Sequence, residues 1–159
     1  MALYSADGRV KVAWVTTLTS TTSPSAAEIA AGVDLENNIT PDGLNITSSQ
    51  AKVDTTALSS TFNTGPGGRT DFDAELTLAL DDASTTVYDA LKTPGTAGYL
   101  VVRYGVAATT DYAASQKVDI YPAETGQSMK ENVAANELQT YRVPFFITAS
   151  PSLDKTTAA

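Results

Sequence analysis

The sequence contains no cysteine and no histidine. Those two absences together remove disulfides, thiolate nucleophiles, imidazole bases and the common zinc and copper ligands. Stability has to come from packing, backbone pairing and association instead. Charge is scarce as well: 18% of residues are charged, and 10 Lys and Arg stand against 18 Asp and Glu, a net charge of -8. A chain with that balance lacks the clustered cations that neutralise phosphates, which argues against gripping nucleic acid or an anionic membrane. Long hydrophobic runs are missing too. No segment approaches the roughly 20 apolar residues that span a bilayer, and Met1 to Val15 interleaves Asp7, Gly8, Arg9 and Lys11 with its apolar residues, unlike a secretory leader. The expected setting is a cytoplasm, with no membrane insertion.

What is there suffices for a folded body. At 159 residues and 42% hydrophobic, the chain is long and apolar enough for one domain with its own core. We place that domain at residues 1–150. The polar, Ala- and Thr-rich residues 151–159 read as a short mobile tail.

Val10, Val12, Trp14, Thr16 and Leu18 fall on one side of an extended chain and predict a first strand. Ser25 and Glu28 have capping-box spacing before the helix-forming Ala26 to Ala31, and Gly32 can close that short helix. Thr40-Pro41-Asp42-Gly43 is a turn signal, after which extended chain resumes at Leu44. Lys52 to Phe62 reads as a strand entering a flexible loop at Gly65, Pro66, Gly67 and Gly68.

The sharpest pattern follows. Phe72, Ala74, Leu76, Leu78 and Leu80 alternate with Asp71, Asp73, Glu75 and Thr77, which predicts a half-buried strand with an acidic outer face. Asp81, Asp82 and Ser84 offer capping oxygens for a helix carrying Ala83, Val87, Ala90 and Leu91, stopped by Pro94 and Gly95. Three further strands lie within 98–105, 117–121 and 138–148. Many strands between turn signals, with one good helix, predict a mainly β fold, a β-sandwich or barrel with one flanking α-helix.

No constellation points to catalysis or to a cofactor. Asp71, Asp73 and Glu75 sit along one strand face, where carboxylates meet water and do not converge as a glycosidase or metal site requires. Asp34, Glu36 and Asn38 imitate the start of a calcium loop, but Ile39 occupies the position that needs Gly. Gly65 to Gly68 lacks the Lys and Ser or Thr of a phosphate-binding loop, and hairpin flexibility explains it better. Asn38 with Thr40 and Asn45 with Thr47 match a glycosylation acceptor whose secretory route is absent.

Several segments taken in order resemble the tail tube (major tail) proteins of siphophages, particularly those of actinobacterial hosts. They are RVKVAWV at Arg9 to Val15, AEIAAGVDL at Ala27 to Leu35, ITPDGLNI at Ile39 to Ile46 and DFDAELTLAL at Asp71 to Leu80. GYLVVRYG at Gly98 to Gly105, QKVDIYP at Gln116 to Pro122 and FFITASPSL ending at Leu153 complete the set. The Ala- and Thr-rich run Ala107 to Ser115 departs from this pattern and reads as an extra loop.

The resemblance implies a structural, non-enzymatic subunit. Its copies would form hexameric rings stacked into the tube of a non-contractile virion tail, assembled in the host cytoplasm. Its partners would be itself, a tape measure protein and tail terminator and tip proteins, with double-stranded DNA passing through without specific binding. An acidic bore would repel phosphates over about 8 Å at physiological salt, so Asp71, Asp73 and Glu75 are the candidate lumen-facing acids. Gly65, Pro66, Gly67 and Gly68 form the candidate inter-subunit loop. The rival readings are a carbohydrate- or protein-binding β-sandwich module and a carboxylate hydrolase.

Overall fold

Alternating β-formers dictate extended chain over most of the sequence. The computed structural model describes residue 1 and residues 3–159. In chain order the elements are β1 (Val10–Val15), α1 (Ala26–Ala30), β2 (Val33–Asp34), β3 (Ile39–Lys52) and β4 (Gly67–Ala79). Then come α2 (Thr86–Leu91), β5 (Ala97–Tyr104), β6 (Lys117–Thr125), β7 (Met129–Lys130), β8 (Thr140–Ile147) and β9 (Ser152–Thr156). The strands form one 9-stranded sheet in the order β2-β1-β5-β6-β8-β4-β3, with β7 on β8 and β9 on β6. The named pairings are all antiparallel.

β6 is the seam of this sheet. One of its edges pairs β5 from Asp119 to Glu124; the other is shared, with β9 against 117–120 and β8 against 123–125. Past that seam the sheet curls over itself, so side chains of β1 and β5 meet those of β4 and β8. Trp14 of β1 packs its ring 5.2 Å from that of Phe145 on β8. Val12, Leu76, Leu78, Leu100, Val102 and Val143 share this first core. Gly98 permits the closure, since a Cβ there would stand 2.6 Å from Cζ2 of Trp14 and 2.9 Å from the carbonyl of Val15.

A second core lies on the opposite face of β1, β5 and β6, where Ala13, Val15, Val101, Val118 and Ile120 are covered by Ile29 of α1 and by Tyr112. β1 is therefore buried on both faces. Burial of this kind favours short strands rich in Val, as VKVAWV and YLVVRY are. The result is the mainly β sandwich with flanking helical turns that the alternation predicts.

Several expectations change in detail. Residues 152–156, expected to belong to a mobile tail, are the strand β9. Beyond it Thr157 is buried, and the Ala158 N–H donates to the Pro24 carbonyl at 2.8 Å. Alternating Leu153 and Lys155 with polar residues is too short a signal to separate from a tail without the β6 edge that receives it. The strand expected at Lys52 to Phe62 lies earlier, because β3 runs straight through the Thr40 to Gly43 turn signal, which it absorbs as a register shift between Ile39 and Leu44.

Both helices are short, and neither has a side-chain cap. The carboxylate of Glu28 reaches across to Thr19 rather than back to Ser25, accepting from its N–H at 3.2 Å and its hydroxyl at 2.5 Å. The second helix begins at Thr86, later than Asp81 and Ser84 suggest, since the Asp81 carboxylate closes a turn by accepting from the Ala83 N–H at 2.8 Å.

Candidate assembly and channel surfaces

Outside the two cores, the surface of β4 and β8 is built by alternation. Ala74, Leu76 and Leu78 point into the first core, which forces Asp71, Asp73 and Glu75 outward. Cross-strand register sets their neighbours: Ser49 beside Asp71, Thr47 and Phe146 beside Asp73, and Asn45 and Pro144 beside Glu75. The three acids do occupy one polar face. They are not equivalent, however. Glu75 lies 3.4 Å from Nε of Arg142, whose Nη2 donates to Glu131 at 2.8 Å, whereas no cation pairs with Asp71 or Asp73 among the described residues. The hydroxyl of Thr140 first, and then Arg142, hold the Glu131 carboxyl below its ordinary range.

The β3–β4 hairpin outruns the core that supports it. Ile46 and Phe72 still pack against the first core, but from Thr47 to Lys52, and from Arg69 to Asp71, the residues are exposed whichever way they point. The ladder continues as an arm to Lys52 opposite Gly67. Beyond it, the Val53 N–H donates to Pro66 at 3.0 Å, that of Thr55 to Thr64 at 3.1 Å, and a turn brings the Ser60 N–H to Ala57 at 3.0 Å. Val53, Leu58 and Phe62 are left exposed at this tip.

The glycine-rich run is therefore not the loop it was expected to be. Gly67 and Gly68 begin β4, and Gly65 with Pro66 lies opposite Val53 in the hairpin. Close approach explains Gly65, where a Cβ would stand 2.2 Å from the Val53 carbonyl; at Gly67 a Cβ would meet only the movable side chain of Gln50. The turn itself is made by Ala57 to Ser60, which carries no Gly or Pro to announce it.

A second group of polar residues escaped the sequence reading. Arg103 of β5 is fully buried and donates to four oxygens: the carbonyls of Ala107 and Thr110 at 2.8 Å, that of Asp111 at 3.1 Å, and Oε1 of Gln116 at 2.9 Å. Its guanidinium carbon sits 5.0 Å from the centre of the Tyr112 ring, and Nζ of Lys11, on the neighbouring strand, 5.4 Å from the same ring. Lys11 in turn is 3.3 Å from Asp34 and 3.4 Å from Glu36. Burial pushes the Tyr112 phenol well above its ordinary value. The Ala107 to Ser115 run is thus wound around a buried cation. An Arg inside LVVRY was the available signal, because a charge in a strand buried on both faces needs internal acceptors.

No group of three or more Asp or Glu side chains is arranged to hold a metal ion among the described residues. The surface concavities are open grooves, not enclosed pockets. The distinctive features are an acidic sheet face, a projecting arm and an unpaired edge on β3, the last strand of the sheet order. A sequence profile of the phage tail tube protein family matches residues 1–159, the whole chain. The chain belongs to the phage tail tube protein family.

As a tail tube family member it is a structural component of a phage tail. No curated protein matches its sequence. Among solved structures, a chain of the anti-feeding prophage baseplate, determined by cryo-electron microscopy, superposes with a TM-score of 0.60 at 10% identity, covering 98% of each chain. At that identity the likeness concerns the fold. It extends over both halves of the sandwich.

Proposed function

We propose that this protein is the tube subunit of a long non-contractile siphophage tail, forming hexameric rings that stack around the channel through which double-stranded DNA leaves the virion. The observation that carries this reading is the match of the tail tube family over residues 1–159. The six-fold symmetrised assembly in which the anti-feeding prophage chain was solved supports the ring order. Subunits would be made and assembled in the host cytoplasm. A tape measure protein would set the length, and terminator and tip proteins would close the ends.

Within that tube, the β4 face turns Asp71, Asp73 and Glu75 toward the lumen. DNA carries a charge about every 1.7 Å along its axis, and a wall on which these acids outnumber the single unpaired cation among the described residues of β4, Arg69, lets it slide instead of holding it. Asp71 and Asp73 contribute most to the repulsion, because Arg142 offsets Glu75. The free edge of β3 and the arm beyond it supply contacts between subunits, which would also shield an edge otherwise open to irregular pairing. Assembly then supplies the stability that a chain without disulfides or metal cannot draw from staples.

Negative-stain microscopy of the concentrated purified protein tests the proposal, with sedimentation across a wide concentration range. Rings or tubes are expected at high concentration and dispersed subunits at low. A monomer at every concentration, also in the presence of tail-initiating proteins, would overturn it.

A further inference from the structure

We propose that Lys11 and Asp34 condense into an isopeptide bond that staples β1 to β2, with Glu36 carrying the protons. The staple forms within one subunit, whatever that subunit goes on to assemble. Register brings the three groups together. Ala13 of β1 lies opposite Asp34 of β2, so Lys11, two residues before Ala13, and Glu36, two residues after Asp34, stand on that same face. The Leu35 N–H donates to the Val12 carbonyl at 2.8 Å, which carries the pairing on toward Glu36. Ala13 has only a methyl group, and the lysine stem crosses it to reach Asp34.

Nζ of Lys11 is buried and poorly served. Its contacts are 3.3 Å to Oδ2 of Asp34, 3.4 Å to Oε1 of Glu36 and 3.5 Å to the Ala108 carbonyl, against about 2.7–2.9 Å for a well-made charged hydrogen bond. Lysines at the surface do better, with Lys92 2.6 Å from Asp89 and Lys117 2.8 Å from Asp154. The ring of Tyr112 stands 5.4 Å from the same nitrogen. Glu36 is also incompletely used, since its Oε2 is buried and has no hydrogen-bond partner. An amine held against one carboxylate, beside a second carboxylate with a spare oxygen, supplies the parts of an amide condensation.

Exposure assigns the roles. The Glu36 side chain is 11% exposed and that of Asp34 47%. The sheltered carboxylate is the proton carrier, and the open one is the acceptor, from which expelled water reaches solvent. Nζ passes a proton to Glu36 and attacks Cγ of Asp34, forming the C–N bond. Glu36 delivers that proton to a carboxyl oxygen of Asp34, a second proton follows the same route, and the C–O bond breaks to release water. Two of the three ammonium protons leave in that water, the third stays on the amide nitrogen, and Glu36 ends as it began. No oxidant or further reactant is needed. The product replaces a buried cation by a neutral amide whose N–H donates to Glu36, which removes the cost of burying the charge. It also closes a loop around α1 and fixes β2, a strand of 2 residues, to the sheet without any cysteine.

Mass spectrometry of the purified protein, denatured and digested with trypsin, tests the bond. Cleavage sites follow Arg9, Lys11 and Lys52, with no Lys or Arg between the last two. An acylated Lys11 is no longer a cleavage site, so residues 10–52 should appear as one peptide lighter than its sequence by one water. Release of the Val10-Lys11 dipeptide, with 12–52 at full mass, would overturn the proposal. A crosslink mapped to Glu36 in place of Asp34 would overturn it as well.

Three variants check the chemistry. Asp34→Asn should give the same linked peptide by losing ammonia in place of water, because the leaving group changes and the amide does not. Lys11→Arg and Glu36→Gln should each release 12–52 at full mass, the first for want of an amine and the second for want of a proton carrier. A loss of water that persists in Lys11→Arg would arise elsewhere in the peptide and would overturn the proposal, as would full linkage in Glu36→Gln. The parent digest needs no variant and decides the matter should any of the three fail to fold.

Discussion

The two halves of this sheet treat their outer faces in opposite ways. On one side of the β6 seam, β1 and β5 are buried on both faces and even take Lys11 and Arg103 inside, each supplied with internal oxygens. On the other side, β3 and β4 bury one face only and leave the second polar, with an arm whose residues are exposed in both directions. The first half finds burial for both of its faces within the subunit. The second has surface to spare and an unpaired edge, which is the arrangement expected of a subunit that reaches its final burial on assembly. Under the proposed tube reading, assembly contacts would fall on the open half, and substitutions on the outer faces of the two halves should have different consequences.

Arg103→Ala should separate the halves most strongly. It removes four hydrogen bonds and empties the space of a fully buried side chain, a loss of about 3–5 kcal/mol, read as a lower urea midpoint. A midpoint within error of the parent would show that the doubly buried half does not depend on its internal cation. Next comes Gly98→Ala, where the added methyl meets the Trp14 ring; overpacking of about 1–3 kcal/mol is expected, measured by thermal unfolding. Equal stability would mean that Trp14 has room to move.

Alkaline titration probes the first core from both sides. Burial first, and nearby negative charge second, push Tyr121 on β6 and Tyr141 on β8 up to about 12 from an ordinary 10.0. With the folded values raised, the stabilisation is fully present below pH 10.0 and is lost as pH rises toward about 12. The melting temperature should fall across that window, following tyrosinate absorbance. A flat profile would indicate that both phenols reach solvent.

The smallest effect on folding is expected on the open half. Asp71→Lys with Asp73→Lys should change stability by only about 0.5 kcal/mol each, as for other exposed sites, yet slow DNA ejection through assembled tails. Adding Glu75→Lys places two cations together at Arg142 and should cost more than either. If the pair of aspartate replacements instead prevents tubes from forming while the monomer stays folded, those acids belong to a contact between subunits and not to the bore.

Legibility followed the same division. The β4 pattern was plain because DFDAELTLAL alternates without interruption and each side chain has one possible face. The arm differs from its expectation because Gly65 marks close cross-strand approach instead of freedom, and because Ala57 to Ser60 turns without Gly or Pro. β9 was read as a tail, since five residues carry too little periodicity to claim a strand.

By itself the sequence determined the β class, the inward and outward faces of β4, the acidic balance and the exclusion of thiol and imidazole chemistry, all of which depend on residue identity and local period. The tertiary structure decided that β6 is shared between β5, β8 and β9, that Arg103 organises the Ala107 to Ser115 loop, and that the β3–β4 ladder outruns the core as an arm. Those relations join residues far apart in the chain, and a local period of two carries no information about which distant strand will take an edge.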